Sequence, residues 1–421
     1  MKKVLVVSYR FPPQLTTRSV QVARWVKHLP SYGWEPVVVC AKEFSVYNTP
    51  IDLTMNSLVP SDTEVVRVKS FEPKMVLALA ARATPFLLSL PDHAIGWYRP
   101  AYKKSLALLK EQSFDLILSC AFARTSNLVG LKLKQETGLP WVAYFSDPWA
   151  DRLVGKYDPI TGYINRRLEK AVIQSADAVI FVSEGMRQLV MEKYPPVWFS
   201  KTHISSQCFD PDLVTSINNS KEETGNAKFT ITFTGNLYGG LRNLMPFFQA
   251  MRHILDKYPD IYQHLTIQMV GKVGTANKRL IQELGLEKLV SIIDTVPYLE
   301  SLSYMAKADV VLSLDSPSQG SRMLHPSKVA EYLGFKKPIL AITPMDAGWV
   351  PFIRQIGGIV VSPDDVAGIE RAIMALYQDY KKDNLDKYGY TNKEIEPYNA
   401  ISTVAKLARI FDEVSQDTLK A

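Results

Sequence analysis

The chain has 421 residues, 47% hydrophobic and 22% charged, with 49 Lys and Arg against 42 Asp and Glu for a formal net charge of +7. That length exceeds one compact core and implies two domains, while the balance of apolar and charged residues excludes disordered and fibrous classes. The mild positive excess favours an anionic partner. Cys40, Cys120 and Cys208 form no Cys-x-x-Cys pair and the six histidines do not cluster in the sequence, so no metal site is expected and a reduced, cytoplasmic setting is.

The opening MKKVLVVSYRFPP begins like a signal peptide, but its apolar run is short and meets Arg10 and two prolines, so a buried strand over 3–9 is the better reading. No stretch of eighteen apolar residues follows, and no membrane span is expected. Loop 10–17, a helix over about 19–29 and a strand over 34–41 give the order that opens a doubly wound α/β domain, whose ligands gather beyond the carboxyl ends of the strands. Thr17 and Arg18 in that stretch are candidate acceptor-side residues, because a guanidinium forks onto phosphate. Capping by Ser19, with Arg18 in solvent, explains the same residues equally well. Residues 71–100 are rich in apolar side chains, and Trp97, Tyr98, Arg99, Lys103 and Lys104 follow at their edge. A membrane-facing or lipid-acceptor surface over 71–104, helices covering a sheet, and a subunit interface all remain open for this stretch.

Strands over 115–119 and 141–145 flank a helix over 126–137. Asp147 and Trp149, in SDPWADR, stand at the carboxyl end of the second strand, where Asp147 could orient or deprotonate an acceptor hydroxyl or simply cap a turn before Pro148. A helix over 162–175 and a strand over 178–182 follow, with Glu169 expected in a surface ion pair with a neighbouring arginine. Residues 201–212 read as a hinge, and Asp210-Pro-Asp212 as a turn rather than a metal motif. A strand restarts at 228–234, where Gly235, Gly239 and Gly240 permit a tight turn into a helix opened by Arg242. Its spacing is not G-x-G-x-x-G, which argues against a dinucleotide oxidoreductase. Strands over 264–271, 290–293 and 309–314 come with helices over 277–284 and 300–308.

The chain is organised around SQGSRMLHPSKVAEYLGFKKPILAI, residues 318–342. A polar loop containing His325 runs into Pro326, suited to a first helical turn, and a short helix should end near Gly334. Val329, Tyr332 and Leu333 share one side; Lys328 and Glu331 share another. Free amides, the helix dipole and Lys328 make an anion site, with Glu331 one turn deeper, where a carboxylate suits ribose hydroxyls. An ordinary αβ unit with a solvated Lys–Glu pair accounts for the same pattern. A strand over 339–342, another over 359–363, a helix over 366–380 and an amphipathic stretch over 400–414 complete the chain. Apolar rather than alternating strands imply two parallel sheets covered by helices on both faces.

The stretch P-S-K-x-x-E-Y-x-x-x-x-K-P-I from Pro326 resembles the donor-binding segment of family 4 (group 1) glycosyltransferases with the GT-B fold. GLPWVAYFSDPW, RRLEKAVIQSADAVIFVSEGM and the turn at Gly235 are similar to further segments of that family, so the resemblance covers nearly the whole chain. It implies two Rossmann-like doubly wound domains facing across a cleft: an acceptor-side domain over 1–210, a donor domain over 211–395, and a final helix over 396–421 crossing back. It also implies that Glu331 holds the ribose of a nucleoside diphosphate-sugar, and that Arg242, Ser327 and Lys328 with nearby amides meet its diphosphate. The loop at Val296 and Tyr298 would meet the base, and Gly235 and Asn236 would line the second phosphate element. Two departures stand out: Met323 replaces a glutamate that contacts the sugar in many members, and Asn236 replaces an arginine.

The activity so implied is retaining, metal-independent transfer of a sugar to an acceptor hydroxyl of a carbohydrate or lipid-linked intermediate in polysaccharide or glycolipid synthesis. The enzyme would be cytoplasmic or peripheral at the inner face of the membrane. Developing charge on the leaving diphosphate would be stabilised by Arg242 and Lys328, without a cofactor. A silent nucleotide-sugar-binding subunit and a GT-B epimerase or phosphorylase are the competing classes. Nucleic acid is not an expected partner, since the aromatics do not interleave with a basic stripe.

Overall fold

The computed structural model describes residues 1–46, 49–71, 90–151, 157–220, 228–237, 244–315 and 327–420. The chain divides into two compact units, residues 1–207 with 400–421, and residues 208–399.

The first unit is built on a seven-stranded sheet: β1 (Lys2–Ser8), β2 (Trp34–Ala41), β3 (Glu64–Val68), β4 (Leu116–Cys120), β5 (Trp141–Phe145), β6 (Ala178–Phe181) and β7 (Thr202–Ile204). Their order is β3-β2-β1-β4-β5-β6-β7 and every pairing is parallel. The central strands are apolar on both faces because helices cover both, as continuous runs such as VLVV require. Helix Thr125–Thr137 approaches β5 closely at Gly130, where a Cβ would run into the Trp141 indole. Beneath it Ser119 donates to Asn127 Oδ1 at 2.8 Å and accepts from Trp141 Nε1 at 2.9 Å, so the buried polar groups satisfy one another.

Three elements of this unit were not anticipated. β3 and β7 are edge strands, too short and too mixed in character to stand out, and β7 occupies part of the stretch read as a hinge. The basic segment after Trp97 is a helix, Tyr98–Glu111. Trp97 itself is fully buried, edge-on to Tyr9 at 5.3 Å, so it belongs to the core and not to an aromatic rim. Most of the candidate membrane-facing stretch, residues 72–89, lies outside the described residues. The final helix, Ala400–Lys420, belongs to this unit: Phe411 packs edge-on against Trp34 at 5.2 Å and Lys2 meets Asp412 at 2.8 Å.

The second unit has a six-stranded parallel sheet: β8 (Phe229–Thr234), β9 (Leu265–Val270), β10 (Val290–Ile293), β11 (Val310–Leu314), β12 (Ile339–Ile342) and β13 (Ile359–Val361), in the order β10-β9-β8-β11-β12-β13. One apolar cluster, with Phe229, Phe248 and Ile373, fills one face. Another, with Phe209, Tyr332, Leu333 and Trp349, fills the other. Asp210 caps helix Pro211–Asn219 by accepting from the Asp212 amide at 3.1 Å. No helix among the described residues is long and apolar enough to cross a membrane.

Candidate functional site

In the second unit strand order reverses between β8 and β11, and the crevice at such a switch point is where open α/β sheets take ligands. Helix Ser327–Gly334, between β11 and β12, brings its side chains there. Val329, Tyr332 and Leu333 are buried in the core, and Tyr332 donates its hydroxyl to the Leu312 carbonyl at 3.0 Å. The helix is thereby pinned to β11, and Lys328 faces β8. Its ammonium lies 4.8 Å from the Phe233 ring centroid and directly against Gly235, the residue after β8. Gly235 has φ +123°, a backbone conformation that favours glycine, and the Lys328 ammonium fills the space a Cβ would take. Asn236 is exposed and accepts from the Lys272 amide at 3.3 Å, tying the end of β8 to that of β9.

Glu331, one turn along the helix from Lys328, is 7% exposed and accepts the Tyr298 hydroxyl at 2.8 Å. Tyr298 begins helix Tyr298–Lys307, and Val296, two residues before it, is half-buried in the preceding loop. A role for Tyr298 toward Glu331 was not anticipated; across 33 residues of chain no local spacing signals it. Ser327 is the first residue of the central helix. Arg242, Met323, His325, Pro326, Gly239 and Gly240 lie outside the described residues. The donor-side candidates thus converge on one strand exit through Gly235, Lys328, Glu331 and Tyr298.

In the first unit the switch point lies between β1 and β4. Helix Thr17–His28 is capped by Thr16, whose hydroxyl accepts from the Ser19 amide at 3.1 Å, so Ser19 is not the cap. Thr17 is exposed, whereas Arg18 is 5% exposed and stacks on Tyr144 of β5 rather than reaching solvent. Asp147, two residues past β5, is half-buried and accepts the Ser146 hydroxyl at 2.7 Å. Trp149 is fully buried and donates to Asn165 at 2.9 Å, a core position that leaves its ring no surface for an acceptor.

Glu169 corrects the expectation of a surface ion pair. It is fully buried; its carboxylate accepts from the amides of Trp149 and Ala150 at 3.0 and 2.8 Å, from Lys193 at 2.8 Å and from the Tyr194 hydroxyl at 2.7 Å. Burial, and then the charge of Glu169, push the Tyr194 phenol well above its ordinary value. The signal was periodic: Gly162, Asn165, Glu169 and Val172 form the buried stripe of helix Pro159–Ser175. Glu169 thereby holds the loop that carries Asp147.

Comparison with known proteins fits this geometry. The model described as Glycosyltransferase Family 4 matches residues 19–213, and that described as Glycosyl transferases group 1 matches residues 228–379. The chain belongs to the family 4, group 1 glycosyltransferases. Among solved structures this family 4 chain is similar to sucrose-phosphate synthase from Thermosynechococcus elongatus, at 15% identity and a TM-score of 0.67 over 99% of this chain and 100% of the other. It is also similar to HepE from Anabaena in complex with UDP-glucose, at 14% identity and TM-score 0.64 over 100% of both chains. A third is UDP-GlcNAc 2-epimerase from Methanocaldococcus jannaschii, at 14% identity and TM-score 0.58 over 98% of this chain and 100% of that one. At such identities these likenesses show the fold, which is GT-B, with two Rossmann-like parallel-sheet domains. A search of curated proteins finds no match.

Proposed function

We infer that this glycosyltransferase moves a sugar from a nucleoside diphosphate-sugar to an acceptor hydroxyl, with retention at the anomeric carbon, in the making of a polysaccharide or glycolipid. The observation that carries the reading is the placement of Lys328 against Gly235 at the β8–β11 switch point, with Glu331 one turn along the same helix. A cation beside a backbone that favours glycine suits a diphosphate, and a carboxylate one turn on suits a ribose diol. As the glycosidic bond breaks, negative charge grows on the diphosphate, where the Lys328 ammonium stabilises it more than in the ground state. This role requires neither a cofactor nor a divalent ion. Among donors uridine compounds come first, since structural neighbours are described with UDP-glucose and UDP-GlcNAc.

Calorimetric titration with UDP, GDP, ADP and dTDP tests the reading. One nucleotide is expected to bind, with Lys328→Ala weakening it by about 1–3 kcal/mol, the scale of a lost charged hydrogen bond. Absence of binding by all four would overturn it. Consumption of a donor sugar without any acceptor would replace transfer by epimerisation or phosphorolysis.

A further inference from the structure

Arg18 presents an unmet chemical demand in the first unit. It is 5% exposed, its guanidinium lies 4.5 Å from the Tyr144 ring centroid, and its Nε and Nη1 have no hydrogen-bond partner among the described residues. Arginine keeps its proton, so burial cannot neutralise it as it could a lysine. Stacking on Tyr144 offsets part of the charge through the ring quadrupole but accepts no N–H. An anionic oxygen ligand would supply both the missing charge and the missing acceptors.

The surroundings suit an anion. Arg18 stands in the first turn of helix Thr17–His28, whose dipole favours an anion. Tyr144 is the penultimate residue of β5, and the charge of Arg18 is felt by Cys120, the last residue of β4. β4 borders the switch point, and β5 is the next strand out. A second guanidinium reaches the same exit: Arg124 donates to the carbonyls of Pro91 at 3.3 Å and Pro148 at 3.4 Å, and its Nε has no partner among the described residues. The acids nearby are engaged. Asp92 accepts from the amides of Ala94 and Thr125 and from the Thr125 hydroxyl, and Asp147 accepts from Ser146.

We propose that Arg18, with Arg124 at the same strand exit, binds a phosphate or diphosphate group carried by the acceptor. The proposal rests on the glycosyltransferase reading and narrows it: the acceptor is a phosphoester, drawn from lipid-linked intermediates or from soluble sugar phosphates.

The test is calorimetric titration of the full chain with inorganic phosphate. Binding that weakens at least about tenfold in Arg18→Gln and stays within about twofold in Lys382→Ala, which removes an exposed lysine of the second unit, supports the proposal. Binding lost in Lys328→Ala and unchanged in Arg18→Gln places the phosphate in the second unit and overturns it. So does absence of binding to the wild-type chain at millimolar phosphate. If Arg18→Gln does not fold, Arg18→Lys keeps the charge and loses the fork; a weakening of at least about threefold is expected, and unchanged affinity overturns the proposal. UDP titrated into the same samples reports on the donor reading separately. Its failure to bind would undo that reading while the phosphate results still report on Arg18. Farnesyl diphosphate and glucose 6-phosphate then distinguish the sources: the one whose binding depends on Arg18 names it, and dependence of neither overturns the proposal.

Discussion

Glu169 in the first unit and Glu331 in the second are both buried glutamates on helices that pack beside parallel strands, yet they are held differently. Glu169 is enclosed by two backbone amides, a lysine and a tyrosine, and its carboxylate serves as a structural anchor for the loop after β5. Glu331 retains 7% exposure, is oriented by a tyrosine, and lies on the helix that carries Lys328 to Gly235. Burial alone therefore does not tell an anchor from a binding group. What the carboxylate is joined to does: Glu169 holds the backbone of the loop after β5, whereas Glu331 shares its helix with Lys328 at a switch point.

The largest effect that would break this contrast is on stability. Glu169→Ala orphans the Trp149 and Ala150 amides and leaves Lys193 with Asp151 as its carboxylate partner, and is expected to cost about 2–5 kcal/mol in denaturant unfolding. A midpoint within error of wild type would refute the anchor role. Glu331→Ala should instead act on binding, weakening nucleoside diphosphates by about 1–3 kcal/mol in calorimetry. Equal affinity in variant and wild type would remove Glu331 from the site. Tyr298→Phe removes one hydrogen bond to the Glu331 carboxylate, and a loss of about 1 kcal/mol in the same titration is expected.

The smallest effect is a pH dependence. The Tyr194 phenol is raised by burial and by Glu169, so its contribution is complete below the ordinary tyrosine value of about 10 and is lost as pH rises above it. Tyr194→Phe should flatten that alkaline loss, measured as midpoint against pH. An unchanged slope would place the titration elsewhere.

Much of the fold was legible because its central strands are unbroken apolar runs. Trp141–Phe145, Val290–Ile293 and Ile339–Ile342 occupy the ranges their sequence implies, as does helix 327–334, which closes at Gly334. At Gly334 a Cβ would press on Phe209 and Val214. β3 and β7 escaped because edge strands bury little, and helix Pro211–Asn219 because its polar, Pro-led start reads as a turn. In the candidate site the same divide appears. Lys328 and Glu331 could be placed together from helical spacing alone, whereas Trp149 and Glu169 both left the accessible positions expected of them and are fully buried.

The sequence by itself determined which residues could form strands and helices, where the turn after β8 needs glycine, and which helix presents Lys328 beside Glu331. These depend on local geometry, a period of two or 3.6 and the steric demands of single residues. Tertiary structure alone decided that Tyr298 orients Glu331, that Lys328 lies against Gly235, and that Arg18 is buried on Tyr144 instead of solvated. Each joins segments far apart in the chain, and which charges are buried, paired or left unpaired is set only when the sheets assemble.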